Sequence, residues 1–222
     1  MKIIARIRNP YDSKFGVPRQ SGLVEQVISE VVFEPEYRVA EALRGIEAFS
    51  HLWLIWAFDQ TERGEWSPTV RPPRLGGNKR IGVFATRSPY RPNAIGLSCV
   101  RLLGVEKSKE GPVLKVAGAD LMNGTPIYDI KPYLPYADCR PEATGGFTDR
   151  TEKRTVEVRI PNEAAAKISP EQIDALTAVL REDPRPAYQD DPDRVYAFEF
   201  AGHHIRFSVA ERVLTILDID QK

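Results

Sequence analysis

Residues 52–58 read Leu-Trp-Leu-Ile-Trp-Ala-Phe, an unbroken apolar run of strand length. Because neither alternate face of this run is polar, it predicts a β-strand that is buried on both faces. Further short runs rich in β-branched residues lie on either side, separated by glycine and proline at roughly ten-residue spacing. They cover residues 3–8, 23–33, 81–85, 95–103, 113–116 and 125–130. Many short strands in this order predict a closed β-barrel or a β-sandwich.

A short helical pattern interrupts the strands, and a different pattern follows them. Residues 37–44 predict a helix that ends at Gly45. Residues 141–154 are polar and show neither the helical nor the strand periodicity of apolar residues, so they are interpreted as a connector. Beyond them, Ser169-Pro170-Glu171-Gln172 is a capping box that predicts a helix start, and residues 195–201, 205–209 and 213–219 predict a small antiparallel sheet. We therefore predict an N-terminal domain over residues 1–140 and a small α+β C-terminal domain over residues 155–222.

The composition argues against several classes of protein. The chain has 222 residues with 31 Lys plus Arg and 31 Asp plus Glu, so its net charge of zero argues against a uniformly basic nucleic-acid-binding coat. Cys99 and Cys139 form no Cys-x-x-Cys pair, and His203-His204 lacks a third ligand at workable spacing, so we predict no metal site. No run approaches about 18 apolar residues, and the N-terminus lacks a signal-peptide pattern. These observations predict a cytoplasmic protein that does not contact a membrane.

The positive charge is unevenly distributed. Residues 71–101, here called the basic segment, contain seven Lys or Arg and no Asp or Glu. Gly76-Gly77 allows backbone N–H groups to converge on an anion, and arginine adds bidentate geometry for phosphate or carboxylate. The segment therefore indicates contact with an anion or with RNA, and the alternative is a solvated loop with favourable charges.

Other polar and aromatic residues suggest a pocket. Asp59-Gln60 follows the most apolar strand, where polar side chains either line a site or simply end the strand. Trp66 is expected to be exposed, and it either stacks on a base or has no such role. Residues 128–138 combine three tyrosines, two aspartates and a lysine on an irregular, proline-bounded segment. Such titratable groups either belong to a site or form structural ion pairs.

Common nucleotide-binding and hydrolase motifs are absent from the sequence. No Gly-x-Gly-x-x-Gly follows a strand, and no phosphate-binding loop, His-Glu-x-x-His or Gly-x-Ser-x-Gly occurs. A Rossmann cofactor site, a phosphate-binding loop, a zinc protease and a nucleophile elbow are therefore unsupported.

Several longer segments together resemble one known family. They are Lys-Phe-Gly-Val-Pro-Arg-Gln at 14–20, Phe-Ser-His-Leu-Trp at 49–53, Arg-Pro-Pro-Arg-Leu-Gly-Gly-Asn at 71–78, Phe-Ala-Thr-Arg-Ser-Pro-Tyr-Arg-Pro-Asn-Ala-Ile-Gly at 84–96, residues 120–125, Asp-Ile-Lys-Pro-Tyr-Leu-Pro-Tyr-Ala-Asp at 129–138, and Asp-Pro-Arg-Pro-Ala-Tyr at 183–188. The chain resembles the TrmO (YaeB-like) family of tRNA threonylcarbamoyladenosine N6-methyltransferases. The long motifs lie within about residues 1–140, and the last one extends the resemblance over nearly the whole chain.

This resemblance implies a fold, an activity and partners. The implied fold is a mainly β N-terminal β-barrel domain with a small α+β C-terminal domain. The implied activity is an S-adenosylmethionine-dependent methyltransferase that methylates N6 of threonylcarbamoyladenosine at tRNA position 37, next to the anticodon. The implied assembly is a homodimer with the cofactor near the subunit interface.

The resemblance also implies site residues. The cofactor contacts fall on Pro18, Arg19, Gln20, Asp59, Gln60, Arg87, Leu97, Asp120, Leu121, Met122 and Asn123. For catalysis we predict Asp129 as the base, Asp138 as the second candidate base, and Lys131, Tyr136 and Arg91 as groups that orient or polarise the modified base. Asn123 stands where the family commonly has Asp, Ala94 where it has Pro, and Asp59 where relatives can have His.

Two competing functions are weighed against this one. A non-catalytic RNA-binding module would use the same basic segment and aromatic residues without chemistry. A hydrolase of small anionic esters is the less favoured alternative, because the sequence has no recognisable nucleophile and base pair.

Overall fold

The computed structural model describes residues 1–59, 66–151, 154–185 and 191–221. The chain is mainly β, as predicted. The strands are β1 Ala5–Arg8, β2 Ile28–Phe33, β3 His51–Ala57, β4 Thr69–Val70, β5 Ile81–Gly82, β6 Ile95–Ser108, β7 Gly111–Ala117, β8 Pro126–Pro132, β9 Glu157–Arg159, β10 Tyr196–Phe200, β11 His203–Ala210 and β12 Val213–Gln221. The α-helices are α1 Pro135–Asp138, α2 Asn162–Ala165 and α3 Pro170–Arg181.

Six strands form a closed barrel in the order β1-β2-β7-β6-β3-β8, and β8 pairs with β1 to complete the ring. Every pair in the ring is antiparallel. In β3, Leu52, Leu54 and Trp56 are buried and belong to the barrel core. Trp53 and Ile55 stay partly exposed, so the predicted burial of this strand on both faces was wrong. The reason is that alternate residues of a single-layer barrel point away from its core.

The predicted helix over residues 37–44 was also wrong. The chain instead forms three short 3₁₀ helices, Pro35–Tyr37, Ala40–Leu43 and Ile46–Ala48. Val39 has an extended backbone between the first two, and Gly45 at φ 86° separates the last two. Each conformation interrupts the i to i+4 hydrogen bonds that an α-helix needs.

Further 3₁₀ helices span Pro73–Leu75, Val83–Ala85 and Gly146–Arg150. The first two lie in the basic segment, beside the two-stranded pairing of β4 with β5. The predicted strand over residues 81–85 is therefore shortened to Ile81–Gly82. The predicted strand over residues 23–33 is likewise shortened to β2.

The C-terminal part is a four-stranded sheet of order β10-β11-β12-β9, in which β9 runs parallel to β12. The predicted helix is confirmed as α3, and both hydrogen bonds of its capping box form between Ser169 and Gln172. Leu176, Val179 and Leu180 on one face of α3 are buried in the core of this part. That spacing is the one expected of an amphipathic helix packed on a sheet.

The N-terminal segment takes part in the core of the C-terminal sheet. Tyr11, Val24 and Val27 are buried in the same cluster as residues of β10, β11 and β12. Gly16 lies so close to Phe198 that a Cβ atom would come within 2.6 Å of its ring. Residues 11–27 therefore run between the barrel and the C-terminal sheet. Residues 14–20, within this stretch, lie against that sheet. The division of the chain at residues 140 and 155 stays a prediction.

Candidate functional site

A cavity of about 570 Å³ lies where the N-terminal segment meets the barrel. Its lining comes from residues 14–20, the end of β3, residues 86–91, the start of β6, and the turn after β7. Eight of the residues predicted to contact a cofactor line it: Pro18, Arg19, Gln20, Asp59, Arg87, Leu97, Asp120 and Met122. Residues that are far apart in the sequence thus meet around one volume.

One wall of the cavity, here called the strand wall, is built on β3 and β6. The Trp56 Nε1–H donates to Ser98 Oγ at 2.9 Å, and the Ser98 hydroxyl donates to Asp120 Oδ1. Trp56 pairs with Gly96 across the two strands, where a Cβ atom would come within 2.1 Å of the indole. Only glycine leaves room for the ring, so Gly96 sets the position of the indole and, through Ser98, the orientation of the Asp120 carboxyl.

Asp120 is the most strongly desolvated acid of the cavity. Burial raises the pKa of its carboxyl, and the Ser98 hydrogen bond opposes that rise by stabilising the charged form. Arg87 contributes a further opposing effect through its positive charge. The carboxyl is therefore placed to attract a cationic or hydrogen-bond-donating ligand group more strongly than an exposed acid does.

A second part of the lining, here called the loop wall, consists of Pro18, Arg19 and Gln20. The Arg87 guanidinium donates to the side-chain oxygen of Gln20, whose amide nitrogen donates to the Arg19 carbonyl. Arg19 in turn donates through Nη2 to two backbone carbonyl oxygens of the C-terminal part, that of Asp183 at 3.1 Å and that of Arg185 at 2.8 Å. The loop wall is thus connected to Arg87, in the segment that precedes β6, and to the C-terminal part.

The turn that holds Arg19 contains an ion pair of low exposure. Arg185 donates to both carboxylate oxygens of Asp183, at 2.8 Å from Nε and 2.9 Å from Nη2, and each residue is 9% exposed. Asp183 has a positive φ of 46°, a conformation that non-glycine residues rarely adopt. The bidentate pair therefore stabilises the turn whose carbonyl oxygens receive Arg19.

Three predicted cofactor contacts do not line the cavity. Leu121 is fully buried in the barrel core. Asn123 accepts a hydrogen bond from the Asn9 N–H at 3.2 Å, and its own N–H donates to the Tyr11 carbonyl. Asn123, in the turn after β7, therefore hydrogen-bonds to the backbone of the N-terminal segment. Gln60 lies outside the described residues.

Among the predicted catalytic residues, Arg91 lines the cavity and the other four do not. Asp129 pairs with Lys131 at 3.0 Å on β8, and both side chains are about half exposed. Asp138 accepts hydrogen bonds from the Leu134 N–H at 2.8 Å and from Trp53 Nε1 at 3.0 Å, which lower the pKa of its carboxyl. Tyr136 is 84% exposed.

The structure also brings in residues that sequence reasoning did not assign to the site. Trp56 was expected to be a core residue, yet it both fills the barrel and lines the cavity. Phe58 packs against it with ring centroids 4.3 Å apart and also lines the cavity, and Tyr90 contributes a third aromatic side chain to the lining. The available signal for Trp56 was Gly96 opposite it, which becomes informative only once the strand register is known.

The described part of the chain contains neither a metal-binding cluster nor a membrane-spanning helix. Within residues 1–59, 66–151, 154–185 and 191–221, no group of three or more histidine, cysteine, aspartate or glutamate side chains is arranged to hold a metal ion. No helix in those ranges combines the length and the apolar character that crossing a membrane requires.

Known proteins are similar to this chain in sequence and in fold. The chain is 41% identical over 227 residues to the tRNA (adenine(37)-N6)-methyltransferase of Escherichia coli (strain K12), covering 99% of this chain and 97% of that protein. It is 40% identical over 200 residues to a Pseudomonas aeruginosa protein named "Putative S-adenosylmethionine-dependent methyltransferase RcsF", covering 87% of this chain and 85% of that protein. A crystal structure of TrmO from the same species superposes with a TM-score of 0.79 at 31% identity, covering 99% of this chain and 95% of that one.

Two family models match the chain. The tRNA-methyltransferase O N-terminal domain matches residues 6–139, and the TrmO C-terminal domain matches residues 153–222. Together with the β fold, these matches define a class of tRNA-methyltransferase proteins that have an N-terminal and a C-terminal domain. The chain belongs to the TrmO family.

Proposed function

We propose that this protein is an S-adenosylmethionine-dependent tRNA methyltransferase that methylates N6 of threonylcarbamoyladenosine at position 37. The observation that carries the proposal is the cavity, because its lining gathers eight predicted cofactor residues from five separate parts of a TrmO-family chain. The names of the relatives support the adenine-37 position. The threonylcarbamoyl group of the substrate is our extension of those names, and it rests on the sequence resemblance.

The lining has the chemistry that this cofactor requires. Its volume lies in the usual range for sites that hold small organic ligands, about 300–1,000 Å³. Arg19 and Arg87 offer donors for the carboxylate of the methionine part. Asp59 and Asp120 offer acceptors for an ammonium group and for ribose hydroxyls. The exposed side chain of Leu97 and the indole of Trp56 offer apolar surface for the purine.

When bound, S-adenosylmethionine supplies a methyl group on a cationic sulfur. The chain's own contribution is to hold donor and acceptor in line, an effect that can lower a barrier by about 7–11 kcal/mol. The strand wall provides an indole and a carboxyl fixed by hydrogen bonds, and the loop wall provides Arg19 and Gln20 fixed from two sides. Both walls are therefore preorganised before any ligand arrives.

Methyl transfer to the acceptor nitrogen, N6 of the modified adenosine, is assisted by a base. An acyl group on N6 delocalises the lone pair of the nitrogen, so removal of the N6 proton assists the attack. Asp129 remains our predicted base, and its pairing with Lys131 orients it on β8 outside the lining of the cavity. Asp138 is the weaker candidate, because the lowered pKa of its carboxyl makes it a poorer proton acceptor. Arg91, which does line the cavity, is proposed to hold the threonyl carboxylate.

We further propose that the enzyme is a homodimer that acts in the cytoplasm. Ile95 and Leu97 at the cavity are 37% and 54% exposed, although both are large apolar residues. A second copy of the chain that covers this part of β6 would remove the apolar surface from water. It would also bring further side chains towards the cofactor.

The test is to incubate the purified protein with isotopically labelled S-adenosylmethionine and tRNA, and to analyse the nucleosides by mass spectrometry. We expect one labelled methyl group on threonylcarbamoyladenosine, and none with tRNA that lacks the threonylcarbamoyl group. Equal labelling of both tRNAs would contradict the proposed substrate. No labelling, with tRNA binding retained, would favour the non-catalytic RNA-binding module.

Two variants test the assigned roles. Arg87→Ala should weaken cofactor binding, whereas Arg181→Ala, on the exposed side of α3, should leave it unchanged. Asp129→Asn should slow methyl transfer far more than it weakens tRNA binding. Full turnover by Asp129→Asn would remove it as the base.

A further inference from the structure

Three large aromatic side chains are exposed beside the cavity. Phe84 is 71% exposed, Tyr90 is 56% exposed and Trp66 is 51% exposed. We call these three residues the aromatic surface. Exposed apolar surface of this kind commonly marks an interaction site.

The aromatic surface is held in place by its neighbours. The rings of Trp66 and Phe84 lie near parallel, with an interplanar angle of 26° and centroids 6.4 Å apart. The Arg91 guanidinium lies over the Phe84 ring, 5.8 Å from its centroid, and donates to the Thr86 carbonyl at 2.8 Å. Val83, next to Phe84, is buried and anchors the 3₁₀ turn Val83–Ala85. Phe84 is therefore presented to solvent by a fixed turn.

The charge around this surface identifies its partner. It lies largely within the basic segment, which has seven Lys or Arg and no Asp or Glu. Tyr90 and Arg91 also line the cavity, so the surface is continuous with it. Exposed flat rings beside a segment rich in positive charge are the features by which proteins bind single-stranded nucleic acid, where bases stack on the rings and cations contact the phosphates.

We propose that the aromatic surface stacks unpaired RNA bases that neighbour the base entering the cavity. The inference rests on the proposed function and extends it, because it assigns the recognition of single-stranded loop nucleotides to Phe84 and Trp66. Phe84 does not line the cavity, so its role is separable from binding of the cofactor. The competing occupant is a second copy of this chain.

The experiment measures RNA binding by fluorescence anisotropy at fixed salt concentration. The probes are an RNA hairpin with a single-stranded, adenosine-containing loop and a blunt RNA duplex of equal length. Phe84→Ala and Phe84→Leu should each weaken hairpin binding about ten-fold, which is the scale of one lost base stack, and Phe84→Trp should retain it. Leu217→Ala is the matched control, because Leu217 is an exposed apolar residue on β12 (49% exposed).

Hairpin affinity is the main readout, and three further readouts serve as controls. We expect duplex affinity, S-adenosylmethionine affinity and sedimentation mass to be the same in all variants. Unchanged hairpin binding by Phe84→Leu would overturn the proposal, since leucine keeps apolar area but lacks a flat ring. A lower mass for Phe84→Ala would overturn it in favour of a subunit contact. Because the readout is binding, a failure of wild-type methyl transfer would count against the proposed function alone.

Discussion

The strand wall and the loop wall of the cavity are built by different means. The strand wall consists of Trp56 and Gly96, which face each other in register, with Ser98 and Asp120 joined to them by hydrogen bonds. The loop wall has no strand of its own. Its arginine, Arg19, is held by carbonyl oxygens 164 and 166 positions further along the chain.

This difference predicts how each wall fails. In the strand wall a substitution acts through packing, because the Trp56 indole lies directly against Gly96 and no space is left for a larger side chain. In the loop wall a substitution removes a polar side chain of low exposure, and the group that it hydrogen-bonded or paired with is left unsatisfied. The same substitution type should therefore cost most where a charge loses its partner and least where shape and hydrogen bonding are both retained.

The largest effect is expected for Arg185→Ala in the turn that supports the loop wall. Removing one member of a buried ion pair costs about 3–5 kcal/mol, because the other charge is left unpaired. Asp183 would be that charge, since both of its carboxylate oxygens accept from Arg185. We expect this loss in the free energy of unfolding, measured by urea denaturation followed by circular dichroism.

The control for this variant is Arg181→Ala, which removes an exposed arginine from the end of the neighbouring helix. It should change the free energy of unfolding by less than about 0.5 kcal/mol. If Arg185→Ala were no more destabilising than Arg181→Ala, the pair would not support the turn, and the loop wall would have to be held by Arg87 alone.

Sequence reasoning succeeded where structure is determined locally. The apolar run at residues 52–58 predicted β3, and the capping box at Ser169 predicted the start of α3, because each signal lies within a few neighbouring residues. The pattern at residues 37–44 failed, since amphipathic spacing does not report the extended backbone at Val39. Local propensity is a weak guide where short turns are determined by their surroundings.

The candidate site was partly predictable for the same reason. Asp59 follows an apolar strand, where a polar side chain was expected either to line a site or simply to end the strand, and it lines the cavity. The contact of Arg19 with the turn at Asp183 joins two distant segments, and no local pattern encodes such a distance. Asp129 and Lys131 form an exposed ion pair outside the lining of the cavity, so their catalytic roles stay predictions.

A smaller effect is expected for Gly96→Ala in the strand wall. The added Cβ would lie 2.1 Å from the indole of Trp56, so the ring has to move, and overpacking of this kind costs about 1–3 kcal/mol. The displaced indole would also weaken its hydrogen bond to Ser98, and S-adenosylmethionine affinity should fall with stability. Thermal unfolding and a cofactor titration measure the two consequences.

Gly82→Ala is the matched control for this variant. An added Cβ at Gly82 has nothing within 4 Å, and its φ of −58° suits alanine. This substitution should leave the stability and the cofactor affinity as they are. Equal behaviour of the two alanine variants would show that the fit of Trp56 over Gly96 does not determine the strand wall.

The smallest effect is expected for Asp120→Asn, because asparagine keeps the shape and can still accept from the Ser98 hydroxyl. Burial raises the pKa of Asp120 in the folded chain, so on unfolding the carboxyl becomes a stronger acid. Below the ordinary aspartate pKa of about 3.9 both states are protonated, and the group contributes nothing to the pH dependence. As the pH rises above that value, the unfolded state loses its proton first, and the wild-type protein loses stability until the folded-state pKa is passed. Asparagine has no such proton.

The stability of Asp120→Asn minus that of the wild type should therefore increase from about pH 4 upwards and then level off, as measured by urea denaturation across pH. A difference independent of pH would mean that the carboxyl of the strand wall is not desolvated in solution.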